Sequence, residues 1–190
     1  MPSGTIVVIS APSGGGKTTI AHRLLEQNVD WKFSVSATTR LRREDEKHGV
    51  DYYFLTSGEF EQRVDNGELV EWEEIFGSCY GTLKDEVDRL LSDPSVRRII
   101  FDIDVKGALS VRKAFPDDAL LIFIAPPSVG KLRLRLSRRD TESAESLERR
   151  MKRAKIEMQL SDQFDCVIVN DDLDRAVAEV EAFIASTPGK

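Results

Sequence analysis

Unbroken apolar runs of strand length alternate along this chain with stretches whose apolar residues recur every three or four positions. Thr5 to Ser10 is β-branched and apolar throughout and ends at Ala-Pro-Ser-Gly-Gly-Gly, which reads as a buried strand entering a turn. Thr18 to Gln27 then has the period of a helix, with Ile20, Leu24 and Ala21 on its inner face. Phe33 to Ser36 is a short strand candidate. Arg98–Ile103, Ala119–Ile124 and Cys166–Val169 are further apolar runs, the last two closed by Pro126-Pro127 and by Asn170-Asp171-Asp172. Helical spacing recurs at Leu132 and Leu136, at Leu147, Met151, Ala154 and Met158, and at Ala176, Val180, Phe183 and Ile184. Strands without alternation, interleaved with helices, predict a parallel sheet covered on both faces.

Residues 37–90 break this rhythm. They are polar, rich in Arg, Glu, Tyr and Gly, and hold strand candidates at Tyr52–Leu55 and Leu69–Trp72 and a small helix near Glu59–Val64. This predicts an inserted α+β lobe. Residues 137–146 are charged and lack an apolar face, as a lid would. The expected division is a core of residues 1–36 and 91–190, with a lid at about 127–148, and the insert at 37–90.

Composition narrows the function. The chain has 190 residues, 41% apolar and 32% charged, which suits a packed core and not a disordered chain. A net charge of −6 gives no global basic field for nucleic acid. Between Lys131 and Lys155, however, ten Lys or Arg stand against four Asp or Glu. Such a segment on an acidic protein suits a small anionic ligand, although a charge run is more often a solvated helix face. No targeting run or membrane span is visible, and Cys79 and Cys166 form neither metal spacing nor a disulfide framework, so a cytoplasmic protein is expected. His22 and His48 are isolated, which argues against a histidine triad or a zinc site.

The sharpest motif is Ala11-Pro12-Ser13-Gly14-Gly15-Gly16-Lys17-Thr18, placed between a strand and a helix. It fits a P-loop except that Ala11 stands where glycine is usual. Such a loop turns successive amide N–H groups into one concavity, and the helix start adds its positive dipole end. Lys17 can reach the β- and γ-phosphates of a nucleotide, and the Thr18 hydroxyl can ligate Mg²⁺. Asp102, ending a neighbouring strand, stands where an acidic group on the Mg²⁺ side belongs. A P-loop alone leaves kinases, GTPases and motor ATPases open.

The acceptor must be read from the insert. It carries Ser36-Ala-Thr-Thr-Arg40-Leu-Arg-Arg43, Asp51-Tyr52-Tyr53-Phe54, Glu71-Trp72 and Tyr80-Gly81-Thr82. Arginine forks grip a phosphomonoester bidentately and phenols add donors without charge. A fixed Glu71 carboxylate could accept from two adjacent donors, which guanine offers and adenine does not. Singly, these residues have plainer readings. Arg40 and Arg43 could be solvated, Tyr52–Phe54 could be core, Glu71 could be the exposed position of an alternating strand, and Arg149 and Arg153 read as a solvated helix face.

Taken together and in order, these motifs resemble the guanylate kinase family over nearly the whole chain. The resemblance implies a P-loop three-layer fold with a five-stranded parallel sheet, an inserted GMP-binding lobe and a short lid. It implies transfer of the γ-phosphoryl group of MgATP to GMP, with dGMP as a further acceptor, and nucleotides as partners. ATP phosphates would lie on Ala11 to Gly16, Lys17, Thr18 and Thr19, with Asn170 near the adenine. GMP would be held by Ser36, Arg40, Arg43, Tyr52, Glu71, Tyr80, Gly81, Thr82 and Asp104. Lys17, Arg40, Arg135, Arg139 and Arg150 would stabilise the transferring group. Mg²⁺ would sit at Thr18 and Asp102, through water. Asp140 replaces the glycine usual in the lid turn. Two other readings remain: a non-catalytic interaction domain of this family, which would be expected to lose the loop lysine, and a sugar-phosphate kinase, which would not need Ser36, Glu71 or Tyr80–Thr82. The oligomeric state is open between monomer and homodimer.

Overall fold

The computed structural model describes residues 5–137 and 144–187. Five strands form one parallel sheet in the order β2-β7-β1-β8-β9: β1 Thr5–Ser10, β2 Trp31–Phe33, β7 Arg98–Asp102, β8 Ala119–Ala125 and β9 Cys166–Val169. Successive side chains of a strand point to opposite faces, and β1 shows how both faces are used. Val7 and Ile9 pack with Ile20 and Leu24 of α1 (Lys17–Gln27) and Val180 and Ile184 of α7 (Leu173–Ser186). Ile6 and Val8 pack on the other side with Val87 and Leu90 of α3 (Lys84–Ser92) and Val105, Ala108 and Val111 of α4 (Val105–Ala114). The three layers expected from the unalternating runs are present.

A second sheet has the order β4-β3-β6-β5: β3 Ala37–Thr38, β4 Tyr53–Phe54, β5 Leu69–Ile75 and β6 Ser78–Leu83. Helix α2 (Ser57–Asp65) is set by a reciprocal capping box between Thr56 and Glu59 and brings Phe60 into a small cluster with Ala37, Leu69 and Leu83. Helix α5 (Val129–Ser137) lies within the span expected for the lid, α6 (Ala144–Gln159) begins within it, and the two share a cluster of Leu132, Leu136 and Ala154.

Three elements differ from the sequence reading. Strand β2 is Trp31–Phe33, not Phe33–Ser36, because only those residues reach the register of Arg98–Ile100. Beyond it the Ser36 carbonyl already accepts from Tyr53 N in the second sheet. Helix α4 carries small apolar residues and a glycine, too weak a stripe to signal itself, and is started by Asp104, whose side chain accepts from Gly107 N. Helix α3 lies within the expected insert, yet Val87 and Leu90 pack on the core.

Ile122 is fully buried in β8 at the centre of this packing. Ile122→Ala should cost about 2–5 kcal/mol of unfolding free energy in a urea titration, whereas Val29→Ala, 87% exposed, should stay within about 0.5 kcal/mol.

Candidate active site

Strand β1 ends at the middle of the sheet, and the loop Ala11–Gly16 carries the chain from it into α1. Gly16 sits at the helix N-cap with φ +94°, a left-handed conformation that favours glycine, and no side chain caps the first turn. The first amides of α1 are therefore left for a ligand. Ala11 in place of glycine has a simple account. Among the described residues only Phe76 is a non-glycine with positive φ, so Ala11 needs no glycine conformation, and its methyl is buried in the cluster of Val7 and Ile20.

Parallel pairing sets Ile9 of β1 beside Asp102 of β7. Asp102 thereby meets the loop, with Lys17 Nζ 3.2 Å from its Oδ1 and the Thr18 hydroxyl donating to its Oδ2 at 2.5 Å. The Asp102 charge holds the Lys17 ammonium above its ordinary pKa against the opposing effect of burial. Thr18 and Asp102 supply hard oxygen donors, and the buried Asp102 Oδ1 faces the Lys17 ammonium at 3.2 Å. These residues suit Mg²⁺, which keeps most of its waters. Among the described residues no group of three or more His, Cys, Asp or Glu could hold a metal by itself, so most other ligands would be water and phosphate oxygen.

Two residues expected at the nucleotide bond to the loop in this structure. Asn170, buried at the end of β9, donates from Nδ2 to the Gly15 carbonyl at 2.9 Å. Arg135 of α5 donates to the carbonyls of Asn170 at 2.8 Å and Gly15 at 3.4 Å. Arg139 and Asp140 lie outside the described residues.

A cleft of about 750 Å³ joins the loop, Lys17, Thr18, Thr19 and Asp102 to Arg40, Arg43, Tyr52 and Tyr80, with Arg150 of α6 on its wall. The arginines and tyrosines singled out in the insert thus line the same cleft as the glycine-rich loop. Arg40 forks onto Glu46 with bonds of 3.0 and 2.7 Å, and its guanidinium stands 5.4 Å from the Tyr52 ring centre. Glu46 also accepts from Arg43 N at 2.9 Å. These arginine bonds hold the Glu46 carboxyl below its ordinary pKa. Sequence reading missed Glu46, and only its place six residues after Arg40 in a turn hinted at the pair.

Beyond the grip lies an acidic end. Glu71 on β5 is the register partner of Thr82 on β6, whose hydroxyl donates to Glu71 Oε1 at 2.6 Å. The pleat turns Trp72 and Glu74 outward and Glu71, Glu73 and Ile75 inward, so the exposed-position reading of Glu71 does not hold. Gly107 of α4 leaves room for the other oxygen, since a Cβ there would stand 2.7 Å from Glu71 Oε2. Burial pushes the Glu71 carboxyl up to about 7, against the Thr82 hydrogen bond. Asp104 is raised to about 6 by burial and by Glu73 beside it. Ser36 and Gly81 are buried, Gly81 on β6 opposite Trp72 and Ala37.

Two more residues belong to this end. Arg153 of α6 was read as solvated, and Arg149 is indeed exposed. Arg153, one turn on, faces β5 and meets Glu73 at 3.2 Å, Asp104 at 3.3 Å and Glu157 at 2.7 Å. Glu73 also pairs with Lys106 at 3.1 Å. Helical period alone does not tell an arginine facing water from one facing carboxylates of another element.

Comparisons with known proteins agree with this geometry. The family model described as guanylate kinase matches residues 3–187. A guanylate kinase of Salinibacter ruber is 54% identical over 180 residues, covering 94% of each chain. One of Chlorobium chlorochromatii is 49% identical over 99% of this chain and 98% of its own. The crystal structure of guanylate kinase from Anaplasma phagocytophilum superposes with a TM-score of 0.77 at 33% identity, covering 96% of this chain and 85% of that one.

Glu71 sets a pH dependence of stability. Its folded pKa is raised from 4.5 to about 7, so between those values the folded state holds more protons than the unfolded chain, and stability falls as pH rises through that window. Glu71→Gln should be more stable than wild type by about 2 kcal/mol at pH 8. The difference should vanish below pH 4.5, as followed by denaturant titration across the range.

Proposed function

The chain belongs to the guanylate kinase family, and on that premise we propose how its residues move the γ-phosphoryl group of ATP onto GMP, giving ADP and GDP. One observation carries the assignment of roles: a cradle of free amides with Lys17 faces, across one cleft, a grip of Arg40, Arg43, Tyr52 and Tyr80. The first holds the donor's phosphates and the second the acceptor's.

The acceptor atom is a phosphate oxygen, already anionic at neutral pH, so no side-chain base has to activate it. The protein acts by positioning and by meeting charge. Lys17 and the first amides of α1 hold the β- and γ-phosphates. Arg40 and Arg43 align the acceptor, and Arg150 meets charge from the α6 wall, joined from outside the described residues by Arg139. Arg135 and Asn170 keep the Gly15 carbonyl turned away from the phosphates. Mg²⁺, held through water by Thr18 and Asp102, would neutralise charge on the β- and γ-phosphates. Glu71 reads guanine by accepting from N1–H and the exocyclic amine, with Thr82 fixing its carboxyl and Ser36, Gly81 and Asp104 completing the base site. An adenine there would leave this carboxylate without its donors.

Water entering the site would consume ATP. The acceptor lobe within residues 37–90 and the lid at about 127–148 therefore close over the core when both nucleotides bind. The half-exposed Cys79 and Cys166 thiols suit the reducing cytoplasm as the place of reaction. No described helix is long and apolar enough to cross a membrane.

A coupled assay of ADP release tests these roles. Lys17→Ala should lower turnover by at least about a hundredfold, the scale of one lost charge-stabilising contact. Glu71→Ala should raise the KM for GMP more than about tenfold and erode the preference over AMP. An unchanged preference would remove Glu71 from the base site.

A further inference from the structure

Arg153 and Lys106 are cations at the acidic end of the acceptor pocket that none of the roles above uses, and Arg153 makes the more contacts. Its guanidinium joins three elements. Nε bonds Glu157 on its own helix α6, while Nη2 lies between Glu73 on β5 and Asp104 at the start of α4. Asp104 is held from both sides: Oδ1 accepts from Gly107 N at 2.8 Å, and Oδ2 faces Arg153 at 3.3 Å. Glu73 follows Glu71 by one full pleat on the same face of β5. Glu71, Glu73 and Asp104 therefore crowd one corner, and like charges at such spacing repel unless a cation stands among them. Lys106 meets only Glu73 among these carboxylates, whereas Arg153 meets Glu73 and Asp104 together. The same guanidinium stands 6.0 Å from the ring of Phe76, at the β5–β6 turn, and Arg150 covers that ring at 5.4 Å.

We infer that Arg153 is a positioning residue for guanine recognition: it clamps Asp104 and Glu73 and so keeps Asp104 in place beside Glu71 at the end of the pocket that receives the base. The inference rests on the reading of this pocket as the GMP site. Arg153 touches no substrate in this account and acts through Asp104. A single charged nitrogen, with two N–H groups, can serve both carboxylates at once.

The alternative is a purely structural residue that neutralises Glu157, which is 8% exposed at its side chain. Three variants separate the two. In calorimetry, R153Q should raise the Kd for GMP about tenfold and leave the Kd for a non-hydrolysable ATP analogue within twofold. R153Q/E157Q removes the buried charge left behind, so it should regain the wild-type melting temperature while keeping the weakened GMP binding. R153K should hold GMP binding within threefold of wild type. The inference is overturned if E157Q restores GMP affinity along with melting temperature. It is equally overturned if R153Q weakens both nucleotides alike, or if its GMP binding is unchanged. Wild-type turnover of GMP, measured alongside, tests the underlying reading of the pocket separately from these variants.

Discussion

The ion pair between Lys17 and Asp102 depends on a register. Two parallel strands, β1 and β7, place Ile9 beside Asp102, and the loop that follows Ile9 has to deliver its lysine to that carboxylate. Once this is fixed, the start of α1 lines the cleft, and the segment after β3 brings Arg40 and Arg43 to the same cleft. Much of the core serves this placement, since Ile20, Leu24 and Ala11 bury the loop's flanks on one face of the sheet. The site thus inherits its precision from packed strands, while Arg40, Tyr52 and Tyr80 reach the cleft from the insert.

The legible parts of the sequence were those whose physics is local. A glycine-rich turn between an apolar strand and a helix announces a phosphate cradle because its amides are adjacent in the chain. The buried strands were legible because they lack alternation. Helix α4 was not, because Val105, Ala108 and Val111 bury a narrow stripe that a fourth residue, Gly107, does not extend. Its place is set by Asp104 at the N-cap and by the sheet beneath it. Arg153 and Glu46 escaped for a related reason. Each is a charged residue in a charged stretch, and the carboxylate or guanidinium that gives it meaning arrives by folding. Asn170 and Arg135 were found at the loop, though their bonds in this structure run to backbone carbonyls.

The acidic end sets a physical tension. Glu71, Glu73 and Asp104 gather where burial disfavours charge, and the fold answers with Arg153, Lys106, the Thr82 hydroxyl and the Gly107 amide. Such a corner gives up stability to hold acceptors that a base with matching donors can satisfy. Hydrophobic residues there would be easier to bury and would read nothing.

Glu46 gives the anion grip a resident counter-ion. Any phosphate that takes the fork of Arg40 has to exchange with a carboxylate already seated there, so docking replaces one oxyanion by another and not water by an oxyanion. The net gain from the phosphate alone is then small. Inorganic phosphate or sulfate, bringing nothing else, gains little from that exchange at Arg40. Only a ligand that makes further contacts along the cleft would tip the exchange, which favours a larger molecule over a simple anion.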